Sequence, residues 1–243
     1  MHKNPTKLIC VPFAGAGASF YHGWAQTGFT DMSLAPVQLP GRERLIAQEP
    51  YVDLHKAADD LAATALETLG EERAIVFGHC FLGSVLAYEI TCRINEQRPQ
   101  SVAELVVSAS RIPSISRPTD VENMNDDQFL AFVKSTTGFT HEAMDIPEMR
   151  ELLLPALRAD FIMDETYNAR PRPALQIPIT AIAADQDNMV TREEVLGWEA
   201  YTDAAFEIQD VSGGHMYLAQ DAQPVFDVLR GCLTRNESAS HAA

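Results

Sequence analysis

Basic side chains and long apolar runs are both scarce in this sequence. Eighteen Lys and Arg residues stand against 34 Asp and Glu residues, which gives a formal net charge of −16. This charge, without any basic run that carries interleaved aromatics, argues against binding to nucleic acid or to an anionic membrane. No stretch approaches the ~20 apolar residues of a membrane-spanning helix, and residues 1–8 lack the layout of a signal peptide.

Cysteine is also rare, and its four residues are spread singly along the chain: Cys10, Cys80, Cys92 and Cys232. No C-x-x-C pair occurs, and no histidine stands at metal-ligand spacing, which argues against a structural zinc site. We therefore expect a reduced, cytoplasmic protein that holds no metal.

Apolar runs alternate with segments of helical periodicity along most of the chain. With 243 residues, 46% hydrophobic and 21% charged, the composition fits one folded domain with an insertion. Helices are expected at 53–69, which opens on Asp53 as a cap, and at 191–201, where Thr191 and Glu194 match a capping box. The alternation predicts an α/β domain with a mostly parallel sheet and helices on both faces. The six runs expected to form strands are 8–13, 34–39, 74–77, 105–109, 177–184 and 206–211.

One segment, residues 117–167, interrupts this alternation because it contains no strand-like run. We expect short helices there, chiefly at 126–134 and 147–164, joined by a linker at 136–140. Residues 120–151 hold eight acidic side chains and two basic ones. A strandless insertion is typical of a mobile lid over an active site. The alternative is an amphipathic helical hairpin that extends the core.

The third apolar run leads into Gly78-His79-Cys80-Phe81-Leu82-Gly83, followed by an apolar helical segment. A strand, a tight turn that presents a nucleophile and a helix form the nucleophile elbow of serine hydrolases, with the pattern G-x-S-x-G. Here Cys80 stands at the nucleophile position, and the second glycine comes one residue late. A thiolate at a helix N-terminus near an imidazole is a strong nucleophile. Cys80 is the candidate nucleophile, and the alternative is a buried structural cysteine.

Two later strand ends carry an acid and a base in the chain order that such a nucleophile requires. The fifth apolar run is followed by Asp185 and Asp187. We favour Asp187, because its D-x-x-V spacing puts the carboxylate in the loop while Val190 returns to the core. The sixth run is followed by a Gly-Gly pair and His215, which the glycines allow to turn toward the site. These residues predict a triad of Cys80, His215 and Asp187.

The first apolar run continues into a turn rich in Gly and Ala, residues 12–18. Small residues let backbone N–H groups point inward, so the N–H groups of Ala14 and Phe81 are predicted to form an oxyanion hole. A phosphate-binding loop is the alternative, but the turn lacks both G-x-G-x-x-G and a lysine. The side chains expected to contact the substrate flank these loops: Phe13, His79 and Met216.

With these residues the chain resembles the type II, or editing, thioesterases of non-ribosomal peptide and polyketide synthase pathways. The resemblance runs through almost the whole sequence. Its most specific markers are the P-G-R-E loop at 40–43 and the L-L-P-A-L-R-A-D block at 153–160. Further markers are Trp24, Ala87-Tyr88-Glu89, Glu165-Thr166-Tyr167, Trp198 and Gly213-Gly214-His215.

The resemblance implies an α/β-hydrolase fold in which residues 117–167 form a mobile helical lid. It places Cys80, Asp187 and His215 in the catalytic positions, with Ala14 and Phe81 as oxyanion donors. The implied reaction is hydrolysis of acyl or aminoacyl thioesters on the phosphopantetheine arm of carrier proteins, without a cofactor. We expect the protein to be a monomer.

The chain departs from the family at the elbow, where the family usually carries serine followed by Met-Gly. A thiolate that attacks a thioester forms another thioester, so an acyltransferase that moves groups between carrier proteins is one alternative. The extra residue leaves others open: a distorted elbow in a protein that only binds carriers, or an elbow altered by engineering. Candidate contacts for the phosphate of the arm are Arg42, Arg44 and Arg111, and the alternative for Arg42 and Arg44 is internal ion pairing.

Overall fold

The structure is a computed structural model that describes residues 5–138 and 142–242. Its single sheet has the strand order β2-β1-β3-β4-β5-β6, and all five pairings are parallel. Each predicted run overlaps one strand, so the expected parallel α/β sheet is confirmed. The strands are β1 (Pro5–Val11), β2 (Ser33–Pro36), β3 (Arg73–His79), β4 (Val102–Ser108), β5 (Ile179–Ala184) and β6 (Phe206–Val211).

Prolines lie where three strands stop short of one end of their apolar runs. β1 ends before Pro12, β2 ends at Pro36, and β5 begins just after Pro178. Proline has no N–H to donate to a neighbouring strand, so it is tolerated only at strand ends and sheet edges. The predicted runs 8–13, 34–39 and 177–184 therefore extend past the true strand ends.

Helices cover both faces of the sheet, as predicted. Alternate residues of β1 serve opposite faces: Ile9 belongs to one buried cluster with α2 and α3, and Leu8 to the other with α1 and α8. No helix in the described part of the chain is long and apolar enough to cross a membrane. The helices are α1 (Ala18–Gln26), α2 (Leu54–Leu69), α3 (Cys80–Gln97), α4 (Asp126–Thr137), α5 (Pro147–Thr166), α6 (Arg192–Leu196), α7 (Tyr217–Gln220) and α8 (Gln223–Ala242).

The two predicted caps are confirmed. The Asp53 carboxylate accepts hydrogen bonds from the first N–H groups of α2, and Thr191 forms a reciprocal capping box with Glu194 at the start of α6. The predicted helix 191–201 is nevertheless wrong beyond its first turns. It continues as a 3-10 helix, Gly197–Tyr201, in which the fully buried Trp198 donates its indole N–H to a backbone carbonyl.

The described part of the segment 117–167 contains α4 and α5 and two 3-10 helices, Val121–Asn123 before α4 and Glu142–Asp145 before α5. Helix α4 runs three residues past its predicted end and is closed by Gly138 in the left-handed conformation, φ 68°. Residues 139 and 140 of the predicted linker lie outside the described residues. The segment has an apolar cluster of its own, built around Phe129 and Leu157, whereas Met163 of α5 belongs to the main core. Helix α5 therefore packs against both the cluster of the insertion and the main core.

Candidate active site

Cys80 stands at the turn between β3 and α3, and its φ of 61° lies in the left-handed region. A side chain in that region is strained, so the surrounding packing must hold the turn. A Cβ on Gly78 would lie only 2.1 Å from the carbonyl oxygen of Gly83, and a Cβ on Gly83 would approach Val11. Gly83, the late glycine, thus allows α3 to lie close to β1 and β3, and the Leu82 side chain packs in the core. The strand, strained turn and helix of an elbow are all present.

The structure brings Cys80, His215 and Asp187 together from three separate strand ends. The Nε2 atom of His215 lies 3.2 Å from the Sγ atom of Cys80. On the other side of the ring, Nδ1 lies 2.8 Å from Oδ2 of Asp187. The side chains of His215 and Asp187 are almost completely shielded from solvent. A nucleophile, a base and an orienting acid are therefore in hydrogen-bond contact.

Asp187, and not Asp185, reaches the imidazole. The second oxygen of Asp187 accepts the N–H groups of Met189 and Val190 at 2.7 and 3.1 Å, which fixes the carboxylate. Asp185 instead accepts the N–H of Gly213 at 2.8 Å. It therefore braces the loop that carries the histidine.

The charge of the neighbouring groups determines the protonation of His215. Burial lowers the pKa of His215, but the Cys80 thiolate and the Asp187 carboxylate beside the ring outweigh it and raise the pKa to about 10. A charged imidazole within hydrogen-bond distance of a cysteine sulfur is the setting in which cysteine serves as a nucleophile.

The two backbone N–H groups predicted to form an oxyanion hole, those of Phe81 and Ala14, have no acceptor among the described residues. Phe81 is the second residue of α3, where a helix N–H has no intrahelical acceptor, and no side chain caps this helix. Ala14 lies in the turn after β1, and its N–H donates to no atom in the described part of the chain. The next N–H, that of Gly15, is taken by Asp160 at 2.8 Å.

The structure contradicts the expected substrate contact of His79. This side chain is fully buried, and its Nδ1 lies 2.9 Å from the hydroxyl of Ser108, which in turn bonds Tyr217. Burial, together with His215 nearby, lowers the pKa of His79 well below its usual value, so the ring is neutral. The predicted substrate contact of His79 rested on its position next to Cys80 in the sequence, but its side chain is buried in the interior. Phe13 and Met216 are 6% and 8% exposed, and their substrate contact stays a prediction.

Of the three arginines expected to contact the phosphate of the arm, Arg42 and Arg111 instead form ion pairs inside the protein. Arg42 is buried and forms a bidentate ion pair with Asp160, with both N···O distances 2.7 Å. Arg111 is also buried and pairs with Asp164 at 2.7 Å. The phosphate prediction is wrong for both, because their guanidinium groups are already neutralised away from solvent. Arg44 is exposed and remains a candidate.

The partners of these arginines are the site residues that sequence reasoning missed. Asp160 and Asp164 lie on α5, far along the chain from Arg42 and Arg111. The only sequence signal for these residues was the L-R-A-D block, which contains Asp160 but does not indicate that Asp160 pairs with Arg42. Within the described residues, no group of three or more His, Cys, Asp or Glu side chains is arranged to hold a metal.

Comparisons with known proteins identify the family of the chain. The family model for the thioesterase domain matches residues 6–233. Thioesterase PikA5 of Streptomyces venezuelae is 34% identical over 216 residues, which cover 88% of this chain and 76% of that protein. The solved type II thioesterase BorB, from the borrelidin biosynthetic cluster, is 32% identical with a TM-score of 0.84, covering 96% of this chain and 94% of that one.

A second solved structure is that of RedJ, a thioesterase from the prodiginine pathway of Streptomyces coelicolor. It is 30% identical, with a TM-score of 0.81, and the match covers 91% of this chain and 89% of that one. The fold expected from the resemblance, a mostly parallel sheet covered by helices as in α/β-hydrolase-like thioesterases, is confirmed. The chain belongs to the thioesterase family and is a thioester hydrolase.

Proposed function

We propose that this protein is an editing thioesterase that removes acyl or aminoacyl groups from the phosphopantetheine arm of carrier proteins. The observation that carries the proposal is the continuous contact from Cys80 through His215 to Asp187, in a chain whose relatives include type II thioesterases of biosynthetic clusters. The protein acts as a monomer in the cytoplasm, where its four unpaired thiols stay reduced.

In the first half of the reaction, the Cys80 thiolate attacks the carbonyl carbon of the bound thioester. A new C–S bond forms, and the carbonyl oxygen becomes an oxyanion that accepts the N–H groups of Ala14 and Phe81. The tetrahedral intermediate then expels the thiol of the arm, whose sulfur takes the proton from Nε2 of His215. The product of this half is an acyl group on Cys80.

In the second half, the now neutral His215 takes a proton from water as the water attacks the acyl carbon. The second oxyanion forms in the same hole and collapses, so that the C–S bond to Cys80 breaks. The products are the free acid and the Cys80 thiolate, paired again with the imidazolium. Asp187 orients the ring in both halves. No cofactor enters either step.

The enzyme needs to reach only the tip of the arm on the carrier protein, so a small and weak interface is expected. Carrier proteins are generally acidic, and a chain of net charge −16 does not steer them by long-range attraction. Exposed apolar side chains at the start of α5, Ile146, Met149 and Leu152, support a short apolar contact on the insertion. In this proposal the segment 117–167 is the lid over the acyl chamber.

The proposal is tested with a carrier protein loaded with a short acyl group. Wild-type protein is expected to release free acid, and intact-mass measurement of a rapidly quenched sample is expected to find the acyl group on the Cys80 peptide. Cys80→Ala removes both signals, and Cys92→Ala, a control at a buried thiol, keeps them. Absence of free acid above background would overturn hydrolysis, and absence of the adduct would favour a protein that only binds carriers.

Acyl transfer between carriers is a second candidate, which the cysteine at the elbow specifically favours. The acyl-Cys80 thioester has nearly the same free energy as the thioester on the arm. The thiol of a second carrier can therefore attack it, form a new C–S bond and return Cys80 as a thiolate. Adding a second, unloaded carrier protein separates the two functions. Transfer predicts acylation of the second carrier, whereas hydrolysis predicts that free acid forms at the same rate with or without it. Cys80→Ser is the comparison variant.

A further inference from the structure

Asp160 joins the insertion to the turn after β1 through one hydrogen bond and to Arg42 through two. Its Oδ2 accepts the N–H of Gly15 at 2.8 Å and Nη1 of Arg42 at 2.7 Å. Its Oδ1 accepts Nη2 of Arg42 at 2.7 Å. The same Nη1 also donates to the carbonyl oxygen of Ala16 at 3.0 Å. One buried ion pair therefore holds the turn on both sides of Gly15.

The position of Gly15 matters because its neighbour is Ala14. Gly15 has a φ of 79°, and a Cβ there would lie 2.9 Å from Cδ1 of Leu157, one turn before Asp160 on α5. Helix α5 thus touches the turn by packing at Leu157 and by hydrogen bonding at Asp160. With the N–H of Gly15 tied to Asp160, the preceding N–H, that of Ala14, keeps no acceptor in the described part of the chain.

We propose that Asp160 and Arg42 are positioning residues for the oxyanion hole: their ion pair sets the direction of the Ala14 N–H. This inference rests on the oxyanion role of Ala14 in the proposed function. It also accounts for the two most specific sequence markers, since the P-G-R-E loop supplies Arg42 and the L-R-A-D block supplies Asp160. Two motifs that never approach the thiol both act through the same turn.

A purely structural ion pair would have a different signature. Breaking a buried pair destabilises a protein wherever it lies, so stability alone cannot distinguish the two roles. An oxyanion hole, in contrast, acts only on reactions that form an oxyanion. Alkylation of Cys80 by iodoacetamide displaces iodide at a saturated carbon and forms none. Attack of Cys80 on a trifluoromethyl ketone forms a C–S bond and leaves an oxyanion where the tetrahedral intermediate would have one.

The experiment measures both reactions in Asp160→Asn, which keeps the shape of the side chain and removes its charge. We expect the affinity for the ketone and the kcat of thioester hydrolysis to fall about 10-fold to 100-fold, less than or equal to the cost of losing one oxyanion donor. The rate of alkylation should stay within about twofold of wild type, because the contact of Cys80 with His215 is untouched. Arg42→Lys, which keeps the charge but not the bidentate contact, should show a smaller loss of the same kind.

Glu104→Gln is the matched control. Glu104 is also a buried carboxylate paired with an arginine, Arg235 at 2.9 Å, but it lies near the amino end of β4, whereas the elbow follows the carboxyl end of β3. This variant should lose stability and keep its ketone affinity. Equal losses of alkylation and ketone binding in Asp160→Asn, or no loss of either, would overturn the inference. A wild-type protein that binds the ketone but releases no acid would refute hydrolysis of carriers and leave this inference standing.

Discussion

The guanidinium carbon of Arg111 lies 3.6 Å from the centre of the Phe81 ring, the residue that follows Cys80. The same guanidinium pairs with Asp164 near the end of α5. One side chain therefore connects the insertion to the elbow, through a cation–π contact on one side and an ion pair on the other. The C-terminal half of α5 is fixed beside the site, so any opening of the insertion must involve the parts that precede it.

This connection predicts that Arg111→Met loosens the insertion from the sheet. We expect faster proteolysis within residues 117–167 and a loss of about 1–3 kcal/mol in the free energy of unfolding, since Asp164 is left without its partner. Arg158→Met is the matched control, because Arg158 stacks on Phe129 and pairs with Asp126 entirely inside the insertion. Equal proteolysis of the two variants would contradict an anchor at Arg111.

Replacing the thiol should change the titration of His215. Cys80→Ser removes the negative charge that raises the pKa of His215 to about 10, and so that pKa should fall. NMR titration of the imidazole Cε1–H measures the shift directly. Cys232→Ser, at a buried thiol in another part of the core, should leave the His215 titration unchanged. An unaltered pKa in Cys80→Ser would argue against a thiolate at Cys80.

The alkaline limb of the pH profile, where the acylation rate declines, should follow the titration of His215. Protonated His215 supplies the proton to the leaving thiol, and raising the pH through about 10 removes that proton. Acylation should therefore fall as pH rises through this region. Asp187→Asn takes away a carboxylate that raises the pKa, so its limb should lie at lower pH. Rates of thiol release between pH 6 and 10.5, measured for wild type and for Asp187→Asn, test this prediction. A decline at the same pH in both proteins would contradict it.

The left-handed conformation of Cys80 should cost stability. A non-glycine residue at a φ of 61° carries strain of about 1 kcal/mol or more, which glycine does not share. Cys80→Gly should unfold at a higher urea concentration than Cys80→Ala, although glycine in a helix ordinarily destabilises. The alanine variant is the control, since it removes the thiol and keeps the strain. Equal midpoints would mean that the turn relaxes without the sulfur.

Much of this site was readable from the sequence because strand ends and catalytic chemistry leave local signals. The run before Gly78 identified the elbow, and Asp187 and His215 each followed an apolar run. Arg42 and Asp160 gave no such signal, because 118 positions separate them and only the folded chain shows that they meet. The placement of His79 failed for another reason. Adjacent residues at a strand end point to opposite sides, so proximity to Cys80 in the sequence did not mean access to substrate.

The unequal packing of α5 has a consequence for which acyl groups the enzyme accepts. Residues 157–164 are tied to the turn after β1 through Gly15 and to the loop after β4 through Arg111, whereas the start of the helix carries the exposed side chains of Met149 and Leu152. We expect strict discrimination against branching next to the thioester and wide tolerance of length further out. Comparing kcat/KM for α-methylated acyl carriers with that for chains of increasing length measures this selectivity. An editing enzyme that must clear many different stalled groups would benefit from this combination.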